Sequence, residues 1–100
     1  MTKDDKRWLE DVASLGCIVC RNLSYGATPA EVHHIRKGQG TAQRADHKKT
    51  LPLCPPHHRT GGHGVAIHAG QKTWEENYGT ETELLEQVTI EVKELRLCRI

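Results

Sequence analysis

The sequence predicts a small α+β domain, with two short strands paired at its centre and helices on either side. Three observations predict it. Amphipathic runs at helical spacing open and close the chain, while its middle carries two short apolar or β-branched runs set off by Gly and Pro. The chain has 100 residues, 36% of them hydrophobic and none of them Phe, which is little core for an unaided domain. All seven histidines fall between His33 and His68, with Cys54 among them and Cys17 and Cys20 just upstream. Imidazoles and thiolates gathered in this way point to bound metal.

Thr2 can cap a first helix over roughly Asp4 to Ser14, with Asp4 and Asp5 in the favourable first turn. Trp8, Leu9, Val12 and Leu15 fall on one face of it, and Gly16 ends it. Arg21 to Ala30 contains Asn22, Ser24, Gly26 and Pro29 and reads as a loop. Glu31 to Arg36 reads as a strand, which sends His33 and His34 to opposite faces. Lys37 to Lys49 is a basic loop. Thr50 to Leu53 is a second strand, confined by Pro52 to an edge, and the two make an antiparallel hairpin. Pro55 and Pro56 suit the first turn of a short helix carrying His57 and His58, broken by Gly61 and Gly62. His68-Ala69-Gly70 leads into a helix with Trp74 and Tyr78 that Gly79 stops. Thr80 and Glu83 form a capping box for the last helix, which runs to about Leu97 with Leu84, Leu85, Val88, Val92 and Leu95 inward.

The net charge of +1 says little, but its distribution says more. Arg36, Lys37, Arg44, Lys48, Lys49 and Arg59 stand against Asp46 alone, so positive charge surrounds the histidines and suits a polyanion. The N-terminus is charged and no run reaches transmembrane length, so the expected compartment is a reducing cytoplasm, where such cysteines bind metal.

Cys17-x2-Cys20 and Cys54-x2-His57 are two ligand pairs of equal spacing, and together they predict a tetrahedral Cys3His structural zinc site. A redox role for the first pair needs a strand before it and a helix after it, whereas here a helix precedes and a loop is expected to follow. With the knot closed, His58 is pushed next door and His33, His34, His63 and His68 remain. A histidine is usually structural, but four left over after one site is filled suggest a second, chemical one.

At this point the chain resembles the HNH, or ββα-metal, endonucleases. The residues that carry the resemblance are Val32-His33-His34-Ile35 and Leu53-Cys54-x2-His57-His58, with Cys17-x2-Cys20 upstream. Ile67-His68-Ala69-Gly70, Trp74-Glu75, Tyr78-Gly79 and Glu83-Leu84-Leu85 make it similar, more narrowly, to the phage recombination-enhancement (Ref) nucleases. The resemblance implies a ββα-metal (HNH, or His-Me finger) core with a structural zinc over residues 17–68, a helix over 1–16 before it and helices over 69–100 after it, all one nuclease domain. It implies that His34 is the general base and that His33, His58 and His68 bind the catalytic ion, with His63 as the alternative third ligand. That ion would be Mg2+ or Mn2+, in a site that Zn2+ or Ni2+ can also occupy. Arg36, Lys37, Lys48, Lys49 and Arg59 would hold phosphates of DNA, whether single-stranded, duplex or branched. RecA recombinase would be the partner, in a bacterial host cell, with the gene carried by a phage or prophage. The middle Asn of the HNH pattern is missing, Lys49-Thr50 standing in its place, so no residue that orients His34 can be read. Two other functions fit the same residues, a non-catalytic zinc-stapled nucleic-acid-binding module and a structure-selective junction endonuclease.

Overall fold

Thr2 accepts a hydrogen bond from the Asp5 backbone N–H, and the Asp5 carboxylate accepts one from the Thr2 backbone, so the first helix starts on a closed capping box. In the computed structural model, which describes residues 1–36 and 46–99, this helix is α1 (Lys3–Ser14). Trp8 and Val12 bury its inner face and Leu9 and Leu15 border it. Gly16, at φ +82°, turns the chain out of the helix into Cys17.

A short helix, α2 (Ile18–Asn22), follows where the sequence suggests loop. Five residues are too few for periodicity to show. Its cap is unusual, because the Cys17 thiol accepts the Cys20 backbone N–H at 3.5 Å. The helix that the redox reading requires after Cys17 is therefore present, but its thiols turn toward Cys54 and His57.

Strands β1 (Glu31–His34) and β2 (Thr50–Leu53) pair antiparallel, with His33 opposite Leu51 and His34 opposite Thr50. The first is two residues shorter than expected, although Ile35 still donates to the Lys49 carbonyl at 2.9 Å. A two-stranded sheet has only edges, so Pro52 opposite Val32 costs no further pairing. Beyond β2 the chain makes one wide turn of π-helical type over Pro56–Thr60, closed by Gly61 donating to the Pro56 carbonyl at 3.0 Å. A 3₁₀ turn (Ile67–Ala69) leads into α3 (Gln71–Tyr78). The last helix, α4 (Glu81–Cys98), starts on the expected Thr80–Glu83 capping box. Its Leu84, Val88 and Val92 are buried, while Leu85 and Leu95 lie at the margin. No described helix is long and apolar enough to cross a membrane.

The core lies where these elements meet β2, all four residues of which are buried. Val12, Ile18, Val19, Leu51, Leu53, Trp74, Val88 and Val92 pack around it. Trp74 is fully buried, and its indole N–H donates to the His57 carbonyl at 3.1 Å. One buried side chain thus fixes the backbone of the turn that carries both His57 and His58.

Candidate metal centres

Two ligand clusters flank that turn. In the first, Cys17, Cys20, Cys54 and His57 are all buried, and their donor atoms lie within 4.8 Å of one another. Cys20 and Cys54 Sγ are 3.8 Å apart, and His57 Nδ1 lies 3.7, 3.6 and 3.2 Å from the sulfurs of Cys17, Cys20 and Cys54. A zinc tetrahedron with ordinary bond lengths has edges of roughly 3.5–3.8 Å. The donor set and its dimensions fit zinc. Electrostatics argues the same way: burial pushes the Cys54 thiol up to about 12, opposed by the His57 backbone N–H and reinforced by Cys17 and Cys20. Burial also holds the His57 ring below its ordinary value, so it keeps a lone pair for a ligand. Three thiolates this close and this dry require a cation among them.

The second cluster is His33, His58 and His68, again with one donor atom each within 4.8 Å of the others. His58 and His68 face each other Nε2 to Nε2 at 3.0 Å, and the His33 ring lies 5.2 Å, centroid to centroid, from both. Two imidazoles sharing an ion at ordinary metal–nitrogen distances stand roughly 2.9–3.4 Å apart, so this spacing fits a bound divalent ion. Three imidazoles suit a borderline ion better than magnesium, which takes oxygen ligands. Burial, then His58 and His33, keep the His68 ring below its ordinary value, with Glu81 opposing.

Carboxylates stand behind two of these rings. His58 Nδ1 donates to Glu31 at 2.9 Å, which leaves Nε2 bare toward His68. Buried His33 donates from Nε2 to buried Glu81 at 2.7 Å, and Gln71 donates to the other Glu81 oxygen at 2.8 Å. Such pairs fix the tautomer and tilt of a ligating imidazole. Sequence reasoning missed Glu31 and Glu81. Glu31 had a signal, since it lies two residues before His33 and shares its strand face. Glu81 had none, being 48 residues away in sequence.

His34 points away from His33 and meets His47, with Nε2 3.1 Å from His47 Nδ1. Thr50 holds His47 in place by donating its hydroxyl to the His47 carbonyl. His47 thus supplies a partner for His34 that the motif did not reveal. Burial, followed by His47, Arg36 and His33, keeps the His34 ring below its ordinary value, so it is neutral at pH 7. His33, His34, His68, Arg36, Gln71 and Glu81 line a cleft of roughly 530 Å³.

The remaining expected residues divide. His63 stays outside the cluster, its Nδ1 donating to the Ala69 carbonyl at 3.3 Å. Arg36 is at the cleft and Lys49 is exposed. Lys48 is paired with Asp4 and sits 4.6 Å over the Trp8 ring. Arg59 grips Glu31 with two nitrogens and, ahead of His58, draws that carboxyl down to about 2. Lys37 lies outside the described residues. Compared with known families, residues 1–93 match the model described as recombination enhancement, RecA-dependent nuclease. No curated protein matches the chain.

Proposed function

The chain belongs to the recombination-enhancement, RecA-dependent nuclease family, and we propose that it is a metal-dependent endonuclease of HNH type acting on DNA phosphodiesters. One observation carries this reading: three imidazoles converge, two of them, His33 and His68, lining a cleft that His34 also lines without joining the cluster. On this reading β1, β2 and the turn after them are the ββα-metal core, and residues 1–100 are one nuclease domain.

His33, His58 and His68 would hold the catalytic ion, manganese in preference to magnesium given three nitrogen donors, while Cys17, Cys20, Cys54 and His57 would hold zinc. When bound, the divalent ion stabilises charge on the scissile phosphate and on the departing 3′-oxygen. His34 donates its Nε2–H to His47, so its free Nδ1 accepts the proton of the water that attacks phosphorus in line. His47 keeps that imidazole in the required tautomer. Arg36 and Lys49 hold neighbouring phosphates, and Lys48 and Arg59 do so only after leaving Asp4 and Glu31. RecA recombinase is the partner in whose presence cleavage is measured.

The test separates base from ligand. His34→Ala should keep calorimetric affinity for manganese while nicking supercoiled plasmid about 10²-fold more slowly. His33→Ala and His58→Ala should lose that affinity, with excess manganese restoring part of their activity. If His34→Ala loses the ion while His33→Ala keeps it, the two roles are exchanged. Wild-type nicking by every variant would place the active site elsewhere.

A further inference from the structure

Sequence order places Arg7 near one end of the chain and Arg96 and Arg99 near the other, in a C-terminal stretch rich in Glu. Folding brings them together. The three side chains line one hollow on the seam between α1 and α4, on elements that supply no residue to the histidine cleft except Glu81 at the far end of α4. Asp11, buried on the seam, takes one hydrogen bond from Arg96 Nε at 3.0 Å and one from Arg99 Nη1 at 2.7 Å. Together the two arginines outweigh the rise that burial imposes and hold Asp11 below the usual carboxylate range.

A staple between two helices needs one cation for each carboxylate. This seam has more. Arg7, Lys48, Arg96 and Arg99 gather around Asp4 and Asp11, and Arg7 enters none of the ion pairs among the described residues. Each guanidinium carries five N–H donors, and Asp11 uses only one from each of its two partners. Two buried donors here, Trp8 Nε1 and Arg96 Nη2, find no acceptor among the described residues. The Trp8 ring is flanked by Lys48 Nζ at 4.6 Å and by Arg96 Cζ at 5.0 Å, which holds both long side chains in place. The Arg99 side chain remains 51% exposed and Arg7 is exposed, so their heads are available to a ligand. Lys48 joins this group to the β1–β2 hairpin that carries His33 and His34.

We propose that the α1–α4 seam is a second phosphate-binding site, which grips the backbone of a nucleic-acid strand away from the cleft. Guanidinium forks match phosphate oxygens in pairs, whereas their sequence indifference suits a clamp and not a reader. The proposal relies on the nuclease reading only to name the polyanion. Its test therefore measures binding and not cleavage.

Arg7→Gln, Arg99→Gln and the double variant are made on the His34→Ala background and titrated, zinc-loaded and without added divalent ion, into a labelled oligodeoxynucleotide across a salt series. The double variant should bind about fivefold or more weakly. Its log–log salt slope should flatten by about 1.4 for a single strand or about 1.8 for a duplex, two phosphate contacts being lost. Parallel titrations with inorganic phosphate, followed by NMR of the arginine side chains, identify the source of the anion. Saturation at millimolar phosphate would make this a free-phosphate site and overturn the backbone clamp. Unchanged affinity and slope would overturn it as well. Unchanged oligonucleotide binding with loss of RecA-dependent cleavage, measured in the same arginine variants with His34 intact, would assign the seam to a protein partner instead. Arg7→Gln alone carries the decision should melting show that Arg99→Gln loosens α4.

Discussion

Replacing Cys54 by Ser removes one of four donors from the Cys3His cluster and changes almost nothing else, because the two side chains are nearly isosteric and the site is 2% exposed. Structural zinc contributes on the order of 10–16 kcal/mol in small domains, while a domain of this size is stable by only about 5–15 kcal/mol. A hydroxyl is a poor zinc ligand, so the variant forfeits a sum comparable with the whole stability. In the wild type, burial pushes the Cys54 thiol up to about 12, so it becomes a thiolate ligand only when a cation is in the cluster. The expected outcome is a chain with no stoichiometric zinc and no cooperative melting transition. Trp74, fully buried and bonded to the His57 carbonyl, should report the loss as a red shift of its fluorescence. The same chemistry fixes the pH dependence of the wild type. The bare cluster keeps Cys54 protonated at neutral pH, so zinc must displace that proton, and zinc affinity should rise with pH and fall in acid. Calorimetry in buffers of different ionisation enthalpy should register the released protons. A Cys54→Ser protein that is folded and free of metal, with native Trp74 emission, would refute the reasoning.

Two further outcomes test the scaffold. Asp11→Asn leaves two guanidiniums facing a neutral amide and should lower stability on the order of 1–2 kcal/mol, seen as a melting point about 5–10 °C lower; an unchanged melting point would mean that the arginines hold nothing there. Gly61→Ala should be the more damaging of two neighbouring substitutions, because its Cβ would meet the Pro56 carbonyl and Val65 Cγ1 at 2.5 Å, whereas Gly62→Ala meets nothing within 4 Å and costs only its positive φ. Reversal of that order by denaturant titration would contradict the close closure of the His57–His58 turn.

Local chemistry was readable and distant chemistry was not. The cap at Thr2, the capping box at Thr80, the strand over Thr50–Leu53, and the matched spacings of Cys17-x2-Cys20 and Cys54-x2-His57 all report through neighbours a few residues apart. Helix α2 escaped because it is a single turn capped by a thiol already assigned to metal. The alternation of β1 separates His33 from His34, but it gives no hint that Glu81 and His47 are their respective partners. Those partnerships span 48 and 13 residues, and only packing creates them. The basic residues were the least legible group. Counting charge along the chain placed Lys48 and Arg59 among free cations, yet Asp4 and Glu31 hold them, and Arg7, Arg96 and Arg99 converge from stretches that looked unremarkable.

His57 and His58 are consecutive residues on one wide turn, yet their rings serve different clusters, His57 inward with the thiols and His58 outward with His33 and His68. The two rings diverge from adjacent positions, so a single peptide unit separates the two ligand clusters. The two sites are therefore coupled: Trp74 holds the turn and Glu31 the His58 ring, and on the proposed reading zinc on His57 adds a further restraint to the same peptide unit. On that reading, loss of zinc should weaken the outer site as well, whatever the supply of manganese. Calorimetry should find manganese bound more weakly by the zinc-free protein than by the zinc-loaded one.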